Sequence, residues 1–110
     1  MKTILLSLAI FFGQMNTLQD KPIIHLRPRQ NIIQPEFGGH LVELINPPEF
    51  VQLPKVPPAV DARGKQWSID VKNLGPGTAT IVGNSQFSIE VKSGRTVSIQ
   101  SNGSGYSAVH

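Results

Sequence analysis

The sequence predicts an all-β fold: a small antiparallel β-sandwich or partly open barrel with a Pro-rich extended N-terminal arm. Three observations carry this reading. Residues 67–110 alternate apolar and polar side chains, as in Trp67, Ile69, Val71 and again in Phe87, Ile89, Val91, which is the period of a strand with one buried face. Glycine-bearing turns punctuate the same stretch at short intervals. Eight of the nine prolines (Pro22, Pro28, Pro35, Pro47, Pro48, Pro54, Pro57 and Pro58) fall between Asp20 and Asp61, where a ring that removes a donor and restricts its predecessor rules out a helix of any length.

In chain order, Met1 and Lys2 precede an apolar run that extends to Phe12. A positive start and a run of this length have the proportions of a secretory signal, and the run is too short for a membrane-spanning helix, which needs about twenty apolar residues. Residues 1–14 are therefore expected to direct export, touching a membrane only in transit, and to leave a secreted or periplasmic protein. The cleavage site is irregular, because Phe11 stands three residues upstream of the bond after Gly13, where a small residue is preferred. An uncleaved N-terminal anchor is one alternative. A start at Met15, giving a cytoplasmic or virion protein, is another. A buried core helix is disfavoured because the run is apolar on all sides.

Residues 20–110 are expected to form a single β domain, with a Pro-rich arm over 20–60 and a β-meander over 66–110. The arm contains two candidate strands, Ile23-Ile24-His25-Leu26 and the segment from His40 to Ile45, the second bounded by Gly38-Gly39 and Asn46-Pro47-Pro48. Residues 47–58 read as extended chain with Phe50, Val51, Leu53 and Val56 available to dock. Such an arm either wraps its own domain or serves as a semi-rigid spacer, and its regular apolar content favours docking. Pro54-Lys55-Val56-Pro57 matches the P-x-x-P spacing and Arg27-Pro28-Arg29 is basic and prolyl, but patterns this short recur by chance.

In the meander, strands are expected over 66–73, 78–82, 85–92, 96–101 and 106–110. Gly75-Pro76-Gly77, Gly83-Asn84 and Ser93-Gly94-Arg95 read as tight reversals, and Asn102-Gly103-Ser104-Gly105 as a longer loop, so that consecutive strands become antiparallel neighbours. The inward set is Trp67, Ile69, Val71, Ile81, Phe87, Ile89, Val91, Val97 and Ile99, with Tyr106 or Val109 at the end. That fills one face of one sheet. A second layer is required, and the arm from His40 to Pro58 is its expected donor.

Composition narrows the function classes. The chain has 110 residues and no cysteine, so neither a disulfide framework nor a thiolate metal site supports a core of this size. The net charge is +3, yet the ten basic residues are scattered; Lys21, Arg27 and Arg29 form the nearest thing to a cluster, followed by Arg63 with Lys65. This lacks the dense basic stripe of a nucleic-acid binder. His25, His40 and His110 are far apart in sequence and do not form a ligand set by spacing. Gly103-Ser104-Gly105 echoes part of a nucleophile elbow without its strand–helix context, and Gly75-Pro76-Gly77 lacks the helix that a phosphate loop needs. The carboxylates Glu36, Glu43, Glu49, Asp61, Asp70 and Glu90 stand beside no evident aromatic platform. Asn102-Gly103-Ser104 is a formal glycosylation acceptor, meaningful only in a eukaryotic source. No catalytic, cofactor-binding or metal-ligating residue is singled out, no cofactor is implied, and an enzyme is not expected.

Asn73-Leu74-Gly75-Pro76-Gly77, then Phe87-Ser88-Ile89 and Thr96-Val97-Ser98-Ile99, resemble small β-meander modules of phage structural proteins and of some secreted bacterial proteins. The resemblance covers residues 67–110 and implies a structural or adhesive role, with no functional residues to carry over. The expected function is thus a non-catalytic exported β-module acting in surface binding or structural attachment, with a protein or surface partner. The alternative is a virion or particle component that forms homo-oligomers through its prolyl arm. A small hydrolase or lectin-like sugar binder is a third reading, opposed by the single Trp and single Tyr.

Overall fold

Among the described residues the regular structure is one short 3-10 turn at Pro35–Phe37 and eight strands: β1 Ile23–Leu26, β2 Leu41–Leu44, β3 Phe50–Gln52, β4 Ser68–Asn73, β5 Ala79–Val82, β6 Ser88–Val91, β7 Thr96–Ser101 and β8 Tyr106–Val109. The computed structural model describes residues 21–84 and 86–109; the expected export signal over 1–14 and His110 lie outside the described residues. One sheet has the order β1-β2-β4-β7-β8 and the other the order β3-β5-β6. Side chains from both sheets, among them Val42, Leu44, Ile69, Val71 and Ile99 from the first and Val51, Ile81 and Val91 from the second, form one buried core. The fold is the all-β sandwich that the alternating pattern predicts.

The sheets are mixed rather than purely antiparallel. β1 pairs with β2, β2 with β4 and β3 with β5 in parallel, whereas β4–β7, β5–β6 and β7–β8 are antiparallel. Parallel neighbours need a crossover, and here each crossover is a visit to the opposite sheet. After β1 the chain passes to the second sheet, where residues 31–33 run alongside β3: the Gln52 N–H donates to the Asn31 carbonyl at 2.7 Å and the Ile33 N–H to the Gln52 carbonyl at 2.8 Å. It returns through a 3-10 turn at Pro35–Phe37 to β2, crosses to β3, returns to β4 and crosses again to β5. Residues 23–82 therefore wind as a flattened coil of three turns. The antiparallel strands β6, β7 and β8 then close it.

This winding corrects the expected meander. Gly75-Pro76-Gly77 and Ser93-Gly94-Arg95 do not reverse the chain within one sheet but carry it between sheets. Asn73, fully buried, explains why. Its Nδ2 donates to the carbonyls of Gly77 at 2.7 Å and Val91 at 2.8 Å, and its Oδ1 accepts from the Gly75 N–H at 2.8 Å. The Ser93 hydroxyl donates to the Gly75 carbonyl at 2.6 Å. A Cβ on Gly75 would meet Pro47 Cδ at 2.6 Å, so this crossing lies directly on the β2-to-β3 crossing at Asn46-Pro47. Asn46 takes φ +54°, a conformation asparagine accepts more readily than most residues. The stacked crossings satisfy one another's backbone groups, which a lone hairpin turn would leave to water.

The Pro-rich stretch supplies strands to both layers, β1 and β2 beside β4 in the first sheet and β3 with residues 31–33 in the second. The expected meander is likewise divided, β4, β7 and β8 lying in the first sheet and β5 and β6 in the second; residues 66–110 therefore do not fill one sheet that the arm alone covers. Ile32 and Ile33 had no expected strand; Ile33 is fully buried. In the inward set Phe87, Ile89 and Tyr106 are only half-buried, Val109 is exposed, and in the arm Phe50 and Val56 face solvent instead of docking.

Two local anchors order the long loop before β4. The Trp67 indole N–H donates to the Pro35 carbonyl at 2.8 Å, tying the loop to the 3-10 turn. Asp61 is almost fully buried and accepts from the backbone N–H groups of Arg63 at 2.8 Å and Lys65 at 3.1 Å and from the Arg63 guanidinium at 2.9 Å. The Arg63 hydrogen bond, helped by the two backbone donors, holds the Asp61 carboxyl below the usual aspartate range against the opposing effect of burial.

Candidate functional site

The side of the sandwich where β1 borders one sheet and residues 31–33 border the other exposes apolar side chains beside concave surface. Ile32 sits at its centre and is 52 % exposed, because its backbone lies in the edge segment while Ile33 takes the inward position. Strand alternation makes this obligatory: of two consecutive isoleucines only one can face the core. Ile23 on β1 and Val56 on the prolyl loop, the latter 79 % exposed, extend the apolar character to either flank.

Two grooves flank Ile32. One, of about 340 Å³, runs between Ile32, Gln34 and Pro35 on one wall and Gln52, Pro54 and Val56 on the other. The second, of about 270 Å³, opens between the two sheet edges, with Leu26, Ile32 and Phe37 as an apolar floor and Arg29, Asn31 and Gln34 as a polar rim. The turn that places Arg29 is closed at both ends: the Gln30 N–H donates to the Arg27 carbonyl at 2.9 Å and the Arg27 N–H to the Gln30 side-chain carbonyl at 3.0 Å. Among the described residues neither Arg27 nor Arg29 forms an ion pair, whereas Lys21 is held by Asp70 at 3.0 Å, His25 by Glu43 at 2.8 Å and Arg63 by Asp61.

A third cleft, of about 380 Å³, lies between the β5–β6 and β7–β8 connections, lined by Asn84, Gln86, Phe87, Ser104 and Tyr106. Its polar groups are largely used by the fold. The Asn84 amide donates to the Ser104 carbonyl, the Ser104 hydroxyl to Asn102 Oδ1, and the Tyr106 hydroxyl to the Pro54 carbonyl. Phe87 and Trp67 pack on the two sides of the Tyr106 ring at 5.9 and 6.0 Å, and burial raises the Tyr106 pKa to about 12. This cleft is a consequence of the aromatic closure rather than an array of free donors.

The residues weighed for chemistry are dispersed. His40 Nδ1 faces the Phe37 and Gly38 carbonyls at 3.0 and 3.1 Å, far in role from the His25–Glu43 surface pair. No three His, Cys, Asp or Glu side chains converge among the described residues. Asp70, on the outer face, accepts from Lys21 and from the Ser98 hydroxyl. The acceptor Asn102 is exposed at a turn, its Oδ1 taken by the Ser104 and Gly105 N–H groups. No helix among the described residues is long and apolar enough to cross a membrane. The Ile32 side was missed from sequence, although the pair Ile32-Ile33 between Pro28 and Pro35 is the signal that marks a short edge strand with one side chain outward. No family profile matches the chain, and no curated protein or solved structure is significantly similar to it.

Proposed function

We propose that this protein is a non-catalytic, exported β-module that attaches to a protein or surface partner through the Ile32 side of the sandwich. One observation carries the reading: Ile32 and Val56 stand exposed beside two grooves on a rigid scaffold. Water-exposed aliphatic side chains beside concave apolar surface gain free energy when a partner covers them. The test is site-specific photo-crosslinking in the source cells, with a benzophenone amino acid at position 32 or, as control, at Lys65 on the exposed Asp61 turn. Adducts to a second protein are expected from position 32 and not from the control. Equal labelling from both positions overturns the reading. Export is tested separately by fractionating cells and sequencing the mature N-terminus: a processed chain in the exported fraction is expected, and an intact Met1 or a Met15 start in the cytoplasm overturns it.

A second reading, a particle component that self-associates, is favoured by β8. Of the sheet edges, β1 lies between Pro22 and Pro28, residues 31–33 lie between Pro28 and Pro35, and β6 carries Glu90. β8 reads Tyr106-Ser107-Ala108-Val109, with neither a charge nor a proline to discourage edge pairing. Sedimentation at rising concentration decides it: a monomer throughout excludes self-association, and a dimer abolished by Ala108→Pro supports it.

A further inference from the structure

We propose that the edge of β1 and the groove at Arg29 together form a docking site for an extended, acidic segment of a partner protein, added as a strand to the five-stranded sheet. The inference rests on the binding role above and assigns it a ligand chemistry. The first support is the open backbone of β1. The Leu41 N–H donates to the Pro22 carbonyl and the Ile45 N–H to the Leu26 carbonyl, both at 2.9 Å, so the even-numbered residues of β1 face β2. Alternation then directs the N–H and C=O groups of Ile23 and His25 outward, where no strand among the described residues pairs them. Pro28 follows two residues after the strand ends at Leu26, so the open window is short and suits a short peptide rather than a long edge-to-edge association.

The second support is charge. The strand leads directly into Arg27 and Arg29, both exposed and both without an ion-pair partner among the described residues. Self-pairing of β1 would set these arginines against the like charges of a second copy, and an acidic strand would meet complementary ones. The third is shape. The 270 Å³ groove at the end of β1 is lined by Arg29, Asn31 and Gln34 together with the apolar Leu26, Ile32 and Phe37. A groove lined by a guanidinium, amides and apolar side chains suits an Asp or Glu carboxylate next to an aliphatic side chain. An extended peptide along β1 delivers such a pair, because alternate residues point to the same side.

The test is a displayed library of random linear dodecapeptides panned against the full chain, followed by fluorescence anisotropy of the enriched peptides made with blocked ends. Enriched sequences are expected to combine Asp or Glu with Val, Ile or Leu, and Arg29→Glu is expected to weaken them roughly ten- to hundredfold, the loss typical of one charge-assisted contact. Hydrogen exchange supplies the geometric readout: bound peptide slows the Ile23 and His25 amides, while those of Ile24 and Leu26 are already protected. Arg29 lies on an exposed turn, and unchanged Trp67 fluorescence verifies that the variant is folded. Enriched peptides that ignore Arg29→Glu overturn this site but not the binding role; failure to enrich any peptide overturns this site and leaves the crosslinking experiment to decide the role. Binding that requires a free C-terminal carboxylate overturns the assignment to an acidic side chain.

Discussion

The three-turn coil of residues 23–82 and the antiparallel closure by β6, β7 and β8 are built from similar strands by opposite means. In the closure, β5 meets β6 and β7 meets β8 through connections of a few residues, and local turn chemistry sets the register of these two hairpins; the β4–β7 pairing, with partners 24 to 32 positions apart, then joins the closure to the coil. In the coil, partners lie 18 to 30 positions apart, as in Ile23↔Leu41, Leu41↔Asp70 and Phe50↔Thr80. Nothing local can set that register. It is set by side chains that reach between turns, above all Trp67 to the Pro35 carbonyl and Asn73 to the crossings. The same chain thus holds one region that is specified by its turns and one that is specified by its core.

That contrast is broken or sharpened by substitution. Trp67→Ala removes the largest fully buried side chain and the tie to the 3-10 turn, and is expected to destabilise the protein by about 3–5 kcal/mol in urea unfolding. Asn73→Ala, which leaves the Gly75 N–H and the Val91 carbonyl unpaired, is expected to cost about 2–4 kcal/mol. If either variant loses less than half a kcal/mol, long-range anchors do not govern the coil.

A glycine pair gives a finer comparison. A Cβ on Gly38 would lie 2.5 Å from the Trp67 ring, whereas one on Gly77 would meet nothing within 4 Å. Gly38→Ala is expected to lose about 1–3 kcal/mol by overpacking a ring that cannot move. Gly77→Ala, at the crossing surface, is expected to stay within about 0.5 kcal/mol of the parent. Equal effects would show that the Trp67 pocket is looser than its contacts indicate.

The smallest effects are expected from pH, and they divide the same way. Tyr106, in the closure, has its pKa raised from 10.0 to about 12 by burial. Its stabilising contribution is full below pH 10 and is lost as pH rises toward 12. Because it is the one tyrosine, its phenolate absorbance reports it directly, and a midpoint near 10 would refute the enclosure. Asp61, in the coil, has its pKa lowered beneath the ordinary 3.8, chiefly by Arg63. Its contribution is present above that value and is lost as pH falls through and below it. Arg63→Gln should therefore shrink the acid-dependent part of stability and leave the alkaline part unchanged.

Legibility followed the same division. The strands of 66–110 were readable because a period of two is a local property, and so were the reversals at Gly83-Asn84 and Asn102–Gly105. The Gly75-Pro76-Gly77 segment was read as a reversal because its residue types suit a tight turn equally well in either role. Only the burial of Asn73, created by β6 and the Asn46-Pro47 crossing, turns it into a passage between sheets. At Ile32-Ile33 the sequence carries the signal of a short edge strand, but which of the two isoleucines faces outward is decided only by the partner strand, here β3.

By itself the sequence determined that this chain is a β protein, that its prolines forbid an α-helix through 22–58, and that its last third is built of alternating strands. Those are consequences of dihedral restriction and side-chain period, which act within a few residues. Tertiary structure alone decided that residues 23–82 alternate between two sheets with parallel neighbours, that Ile32 and Arg29 share one groove, and that β8 forms a sheet edge among the described strands. These depend on which distant segments share a core, and that is set by mutual burial of apolar area rather than by any local preference.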